Sequence, residues 1–208
     1  MRVIETNVYT FNELDQESKE KAINDHRNNY NDCDFDDYFD DETLEFKCFL
    51  KNIGFNNVET FYSGFHSQGD GACFDFTNLN LDEVVTKQEG NTYSVVHDKF
   101  IEENIKLLKD ILKIKESIEF STYITRYNYN HEKSRGIDYK FYNEHKTCKT
   151  IEKLISNFLD VLGDLYIDLS QKYYKQLSNH AAYVDSDEYI IETLINNDYE
   201  FTINGKII

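Results

Sequence analysis

The chain contains no proline, its eight glycines are dispersed, and Arg2, Arg27, Arg126 and Arg135 are its only arginines. Without proline, Ser/Gly tracts, repeats or low-complexity blocks, nothing marks a linker, and 208 residues suit one domain of ordinary size, residues 1–208. The shortage of cations is just as informative. Against 39 Asp and Glu stand 22 Lys and Arg, a net charge of -17. Such a field repels polyphosphates, whereas nucleic-acid binders cluster Lys and Arg to neutralise phosphates, so direct nucleic-acid binding is not expected. No apolar run approaches the roughly 18 residues of a membrane span. The N-terminus MRVIETNVYTF also lacks the basic start and apolar core of a signal peptide. A cytoplasmic setting is expected, with no membrane partner. Cys33, Cys48, Cys73 and Cys148 form no CxxC pair and have no histidine at metal-ligand spacing, so they read as reduced, mostly buried thiols. No metal and no cofactor are expected.

What the chain does have is apolar and aromatic surface. Hydrophobic residues make up 40% and aromatics 15%, with 16 Tyr and 15 Phe, too much for a disordered polymer. A first strand is expected over residues 3–11. A helix follows, capped by Asp15 and burying Ala22, Ile23, His26 and Tyr30. A second helix begins near Asp41, carries Phe46, Phe49, Leu50 and Ile53 on one stripe, and stops at Gly54, which suits a left-handed C-terminal cap. Two β runs are read at 58–65 and 72–76, a helix over about 95–114, and a hairpin from strands at 117–129 and 136–144. A long helix starts near Thr147, runs toward His180 with Gly163 as a candidate bend, and buries the seam Ile151 to Leu177. A short final helix capped by Asp185 or Ser186 precedes an edge strand near 199–203. The expected fold is α+β, with an antiparallel sheet of four or five strands packed against the long helix and shorter helices.

The densest local chemistry lies in FYSGFHSQGDGACFDF, Phe61 to Phe76. Gly64, Gly69 and Gly71 permit a tight turn whose N–H groups can face an anion or a partner's carbonyl. Asp70 can instead cap those amides itself. The candidate binding residues are therefore Ser63, Gly64, Phe65, His66, Ser67, Gln68, Gly69, Asp70 and Gly71. This is not a phosphate loop, because the lysine is missing. His66 beside Ser63 and Ser67 suggests a nucleophile, but sequence neighbourhood supplies no third group to orient a base. No catalytic residue is assigned, and a binding role is preferred to an enzymatic one.

The run SGFHSQGDGACF resembles the signature of a phage and prophage family often labelled as the antitoxin of a toxin–antitoxin stability system. Members carry a stretch close to SGFWSQGDGACF. VYTFNELDQESKEKAI at the start and SDEYIIETLINNDYEFTINGK at the end resemble the same family. This chain departs at His66, where members tend to carry an aromatic such as Trp. The resemblance implies a mobile-element protein working in a bacterial host cell.

A second candidate surface is the acidic run Asp32 to Glu42, which includes Asp34, Asp36, Asp37, Asp40 and Asp41. Its carboxylates suit either a solvated helix start or a contact surface that imitates phosphate spacing. It lacks the glycine-punctuated pattern of a calcium loop. His97, His131, His145 and His180 are too far apart to form a ligand set. Tyr123, Tyr127 and Tyr129 fall at even spacing, which favours core or cross-strand packing against Tyr139 or Tyr142 over base stacking.

Three functional classes follow. The preferred one is an acidic phage accessory protein that binds and inhibits a host or co-encoded protein through a basic surface, as a counter-defence inhibitor of anti-CRISPR or anti-restriction type. The others are an antitoxin paired with a toxin, and a small-ligand or nucleotide binder using Ser63 to Asp75. Oligomeric state is not legible.

Overall fold

Tyr9–Thr10 forms strand β1, and a 3-10 turn over Phe11–Glu13 leads into helix α1, Gln16–Tyr30. The computed structural model describes residues 7–30, 38–127, 129–142 and 149–208, so the expected strand is seen only as these two residues. Asp15 caps α1 as expected: its Oδ1 accepts from the Ser18 N–H at 2.8 Å. Helix α2, Asp40–Asn52, ends where Gly54 adopts φ +94. That is a conformation an L side chain resists. The following strands are β2 (Phe55–Asn56), β3 (Glu59–Tyr62), β4 (Ala72–Asp75) and β5 (Asn78–Leu79). Next come the short helix α3, Leu81–Val84, and the amphipathic helix α4, Ser94–Ile111. Strands β6 (Ile118–Ile124) and β7 (Arg135–Phe141) precede helix α5, Lys149–Val184, which stays helical through Gly163. Helix α6, Asp187–Asn196, is capped by Ser186, whose side chain accepts from the Tyr189 N–H. Strand β8, Glu200–Phe201, completes the chain's regular structure.

The chain is thus α+β, as its pattern indicates, but the sheet differs from expectation. In place of one sheet of four or five strands there are four two-stranded antiparallel pairs among the described residues: β1–β8, β2–β5, β3–β4 and β6–β7. The strands of three pairs are only two to four residues long. Hydrogen bonds between Thr122 of β6 and Phe76, the residue after β4, link two of the pairs instead. The Thr122 N–H donates to the Phe76 carbonyl at 3.0 Å, and the Thr122 hydroxyl accepts from the Phe76 N–H at 2.9 Å.

The chain divides into two compact units, residues 1–39 with 178–208 and residues 40–177. In the first, Phe11, Leu14, Ala22, Ile23, Ile190, Leu194 and Phe201 form the core. Arg27 fastens α1 to the start of α6 through Asp185 and Asp187. The second unit holds an aromatic core. Phe46 stacks on Tyr173 with centroids 4.3 Å apart and meets Phe74 edge-on, and Phe74 lies 4.4 Å from Tyr166. The Tyr166 hydroxyl bonds both backbone groups of Phe74, at 3.1 and 2.8 Å, anchoring β4 to α5. Cys73 is buried but Cys48 is exposed, against the expectation for the thiols. Cys33 and Cys148 lie outside the described residues. Among the described residues no helix is long and apolar enough to cross a membrane.

Candidate functional site

The glycine-rich segment is the loop of the β3–β4 hairpin. The ladder runs from Glu59↔Asp75 to Tyr62↔Ala72 and continues one step further, where the Ser63 N–H donates to the Gly71 carbonyl at 3.0 Å. The Gly71 N–H in turn donates to Ser63 Oγ at 3.1 Å. Inside this closure, Asp70 Oδ2 accepts from the His66 N–H at 2.8 Å and the Ser67 N–H at 2.6 Å, while the Asp70 N–H bonds the Ser67 carbonyl. The turn points two backbone amides at one acceptor, and that acceptor is its own aspartate. The His66 and Ser67 amides are therefore already occupied.

Two glycines are demanded by geometry. Gly69 has φ +114, and a Cβ on Gly71 would lie 2.5 Å from His131 Cβ. Gly64 is different, because a Cβ there would meet Asp70 only at ordinary contact distance, 3.4 Å. Phe65 is half-buried between Tyr62 and Tyr174, with centroids 6.0 and 5.7 Å away, and the Tyr174 hydroxyl donates to the Gly64 carbonyl. His66, Ser67 and Gln68 remain exposed. The Ser63 hydroxyl is committed to closing the loop, and among the described residues no hydrogen bond joins the His66 ring to a serine.

Beneath the loop lies a polar strut that sequence reading missed. Arg135, with 6% of its side chain exposed, donates from Nε to Asp75 Oδ1 at 2.7 Å and sits over the Phe61 ring at 5.1 Å. Its Nη1 donates to the Ser134 carbonyl and hydroxyl, and that hydroxyl in turn donates to the His131 carbonyl at 2.6 Å. The strut ties the loop-bearing hairpin to β7 across about sixty residues of sequence. No spacing rule in a single sequence marks such a pair. Burial pushes the neighbouring Cys73 thiol upward, so it is not a reactive thiolate.

Tyr129 borders the loop, and here the expectation of core packing is corrected. Strand β6 ends at Ile124, so Tyr127 and Tyr129 fall on the connection beyond it and are 85% and 50% exposed. Tyr129 Cε1 comes within 3.9 Å of where a Gly69 Cβ would stand. Tyr123 does pack across strands, but onto Gly136, its ladder partner, rather than onto Tyr139 or Tyr142. Tyr139 opposes Phe120, and the Tyr142 hydroxyl donates to Glu119.

Of the acidic run, Asp40 and Asp41 occupy the exposed first turn of α2, where carboxylates favour the helix N-terminus. Asp34, Asp36 and Asp37 lie outside the described residues. Among the described residues no hydrogen bond or ion pair joins Asp40 or Asp41 to the loop. No group of three or more His, Cys, Asp or Glu among the described residues is arranged to hold a metal ion.

Residues 38–187, from the start of α2 to the start of α6, match a family described as Domain of unknown function (DUF8835). No curated protein and no solved structure matches the chain.

Proposed function

The chain belongs to the Domain of unknown function (DUF8835) family, and for this member we propose an acidic accessory protein of a phage that binds and inhibits a basic protein of its bacterial host. The target class is a nucleic-acid-handling defence protein, as in anti-CRISPR or anti-restriction inhibition, and the setting is the host cytoplasm. The observation that carries the reading is the net charge of -17, borne by carboxylates that far outnumber the available cations. A protein surface built to hold polyphosphate would attract this chain over several ångströms and orient it on approach. The loop supports protein binding over nucleotide binding. Asp70 holds the amides that a phosphate would need, which leaves a turn presenting His66, Ser67 and Gln68 beside Tyr129. Tyrosines on a fixed scaffold are frequent anchors of protein interfaces.

The test is affinity capture from a bacterial lysate followed by identification of the retained protein. The reading expects a nucleic-acid-binding protein whose surface is basic and whose retention is lost at high salt. Retention of an acidic protein, or salt-indifferent retention, would overturn it.

A further inference from the structure

Helices α4 and α5 enclose a slot of about 170 Å³ that lies wholly within residues 40–177. Its floor is apolar, formed by the buried Phe100 and Leu165 with the half-buried Val96 and Val161. Its rim carries Asp164 and Asp168 from α5 and Glu103 from α4. Lys99 lines the same rim and stands 3.9 Å from Glu103, the longest ion pair among the described residues.

The aspartates need an explanation that the fold does not supply. Asp160, Asp164 and Asp168 recur every fourth residue on α5, all exposed, and no ion pair reaches them among the described residues. Aspartate is a poor helix former, and like charges four apart repel on a helix. The chain therefore keeps a locally unfavourable stripe beside an apolar slot, the kind of conflict found where function outweighs stability. Its α5 cation neighbour, Lys172, is half-buried one turn beyond Asp168.

We propose that this slot binds an arginine side chain projecting from the basic partner, a reading that rests on the function proposed above. An aliphatic stem covers Phe100 and Leu165, and the planar guanidinium meets Asp164 and Asp168 with paired N–H donors. Arginine suits the slot better than lysine, because its fork bonds carboxylates bidentately and its charge is less strongly hydrated.

The test is an NMR titration of the full chain, labelled at valine and leucine methyls, with N-acetyl-arginine amide, N-acetyl-lysine amide and calcium chloride as separate probes. The arginine probe should give saturable shifts centred on Val96, Val161 and Leu165. The lysine probe should bind more weakly. The variant Asp164→Asn/Asp168→Asn should weaken arginine binding about tenfold, the loss expected for one charge-assisted hydrogen bond or more. It should melt at or above the parent temperature, since repulsion has been removed, and Asp168→Asn alone should weaken binding part of the way. Glu192→Gln, elsewhere on the surface, should change nothing. Equal, diffuse shifts from arginine and lysine, calcium as the tightest probe, no saturation, or unchanged binding by the Asp164/Asp168 variant would each overturn the proposal. A failed titration with salt-dependent partner binding intact removes the slot alone. Loss of both removes the basic-partner reading as well.

Discussion

Substituting alanine in turn at Gly64, Gly69 and Gly71 separates three physical demands within one short loop. At Gly71 the new methyl would sit 2.5 Å from His131 Cβ and 3.0 Å from His131 Cα, so backbone must move, and overpacking of this kind costs about 1–3 kcal/mol. At Gly69 there is room, with nothing nearer than Tyr129 at 3.9 Å, but φ +114 strains any L residue by about 1–3 kcal/mol. Gly64 has neither problem, and its alanine variant should stay within about 0.5 kcal/mol of the parent. For a chain of this length each kcal/mol lowers Tm by roughly 2–4 °C, so the first two variants should melt several degrees early and the third should not. Urea unfolding at constant slope gives the free energies directly. An order in which Gly64→Ala costs as much as Gly71→Ala would refute the loop geometry. If Gly71→Ala melts like the parent, the close approach to His131 is wrong.

The other predictions concern charge and exposure. Arg135→Met strands Asp75 and should cost about 2–4 kcal/mol in urea unfolding, reduced from the fully buried case because Asp75 is 28% exposed; an effect under 1 kcal/mol would remove the strut from the account. His97 is buried, bonds the Val84 carbonyl through its ring nitrogen at 2.8 Å, and is pushed down by burial, with His26 lowered in the same way. Such histidines stay neutral in the fold while the unfolded chain takes up protons, so stability is full above about pH 6.5 and falls with acidification, at up to ~1.4 kcal/mol per pH unit for each. The urea midpoint should drop between about pH 7 and pH 5.5, and His97→Phe should flatten that slope; an unchanged slope sinks the assignment. Tyr127→Ala should leave Tm unaltered, whereas Tyr123→Ala should lower it by uncovering Gly136, and the reverse order would contradict the exposures.

Local chemistry accounts for most of what was legible in the sequence. Asp15, Gly54 and Ser186 each end or begin a helix through one side chain or one backbone angle, and such signals survive without tertiary information. The hairpins at 59–75 and 118–141 and the helix Lys149–Val184 follow from periodicity and length. Sheet assembly was not legible, because whether two-residue strands such as β2 and β5 join a larger sheet depends on bonds like Thr122 to Phe76, 46 residues apart. The tyrosines misled for a related reason. Their even spacing mimicked a strand face, but pairing ended at Ile124 and left Tyr127 in solvent. At the candidate site, the self-capping role of Asp70 was readable from its flanking glycines. The Arg135–Asp75 strut and the ring stack of Phe65 on Tyr174 required the folded chain.

The central claim is that carboxylate charge brings this protein to a basic partner, and the association rate as a function of salt tests it most directly. The captured partner would be immobilised and the association rate measured for the parent and for a variant with Asp34, Asp36, Asp37, Asp40 and Asp41 changed to Asn. Between about 0.1 and 1 M ionic strength the screening length falls from roughly 10 to 3 Å. The parent rate should therefore fall steeply, and the variant should begin slower and vary less, with its Tm nearly unchanged. Parent and variant rates that coincide and stay flat across that range would contradict the account.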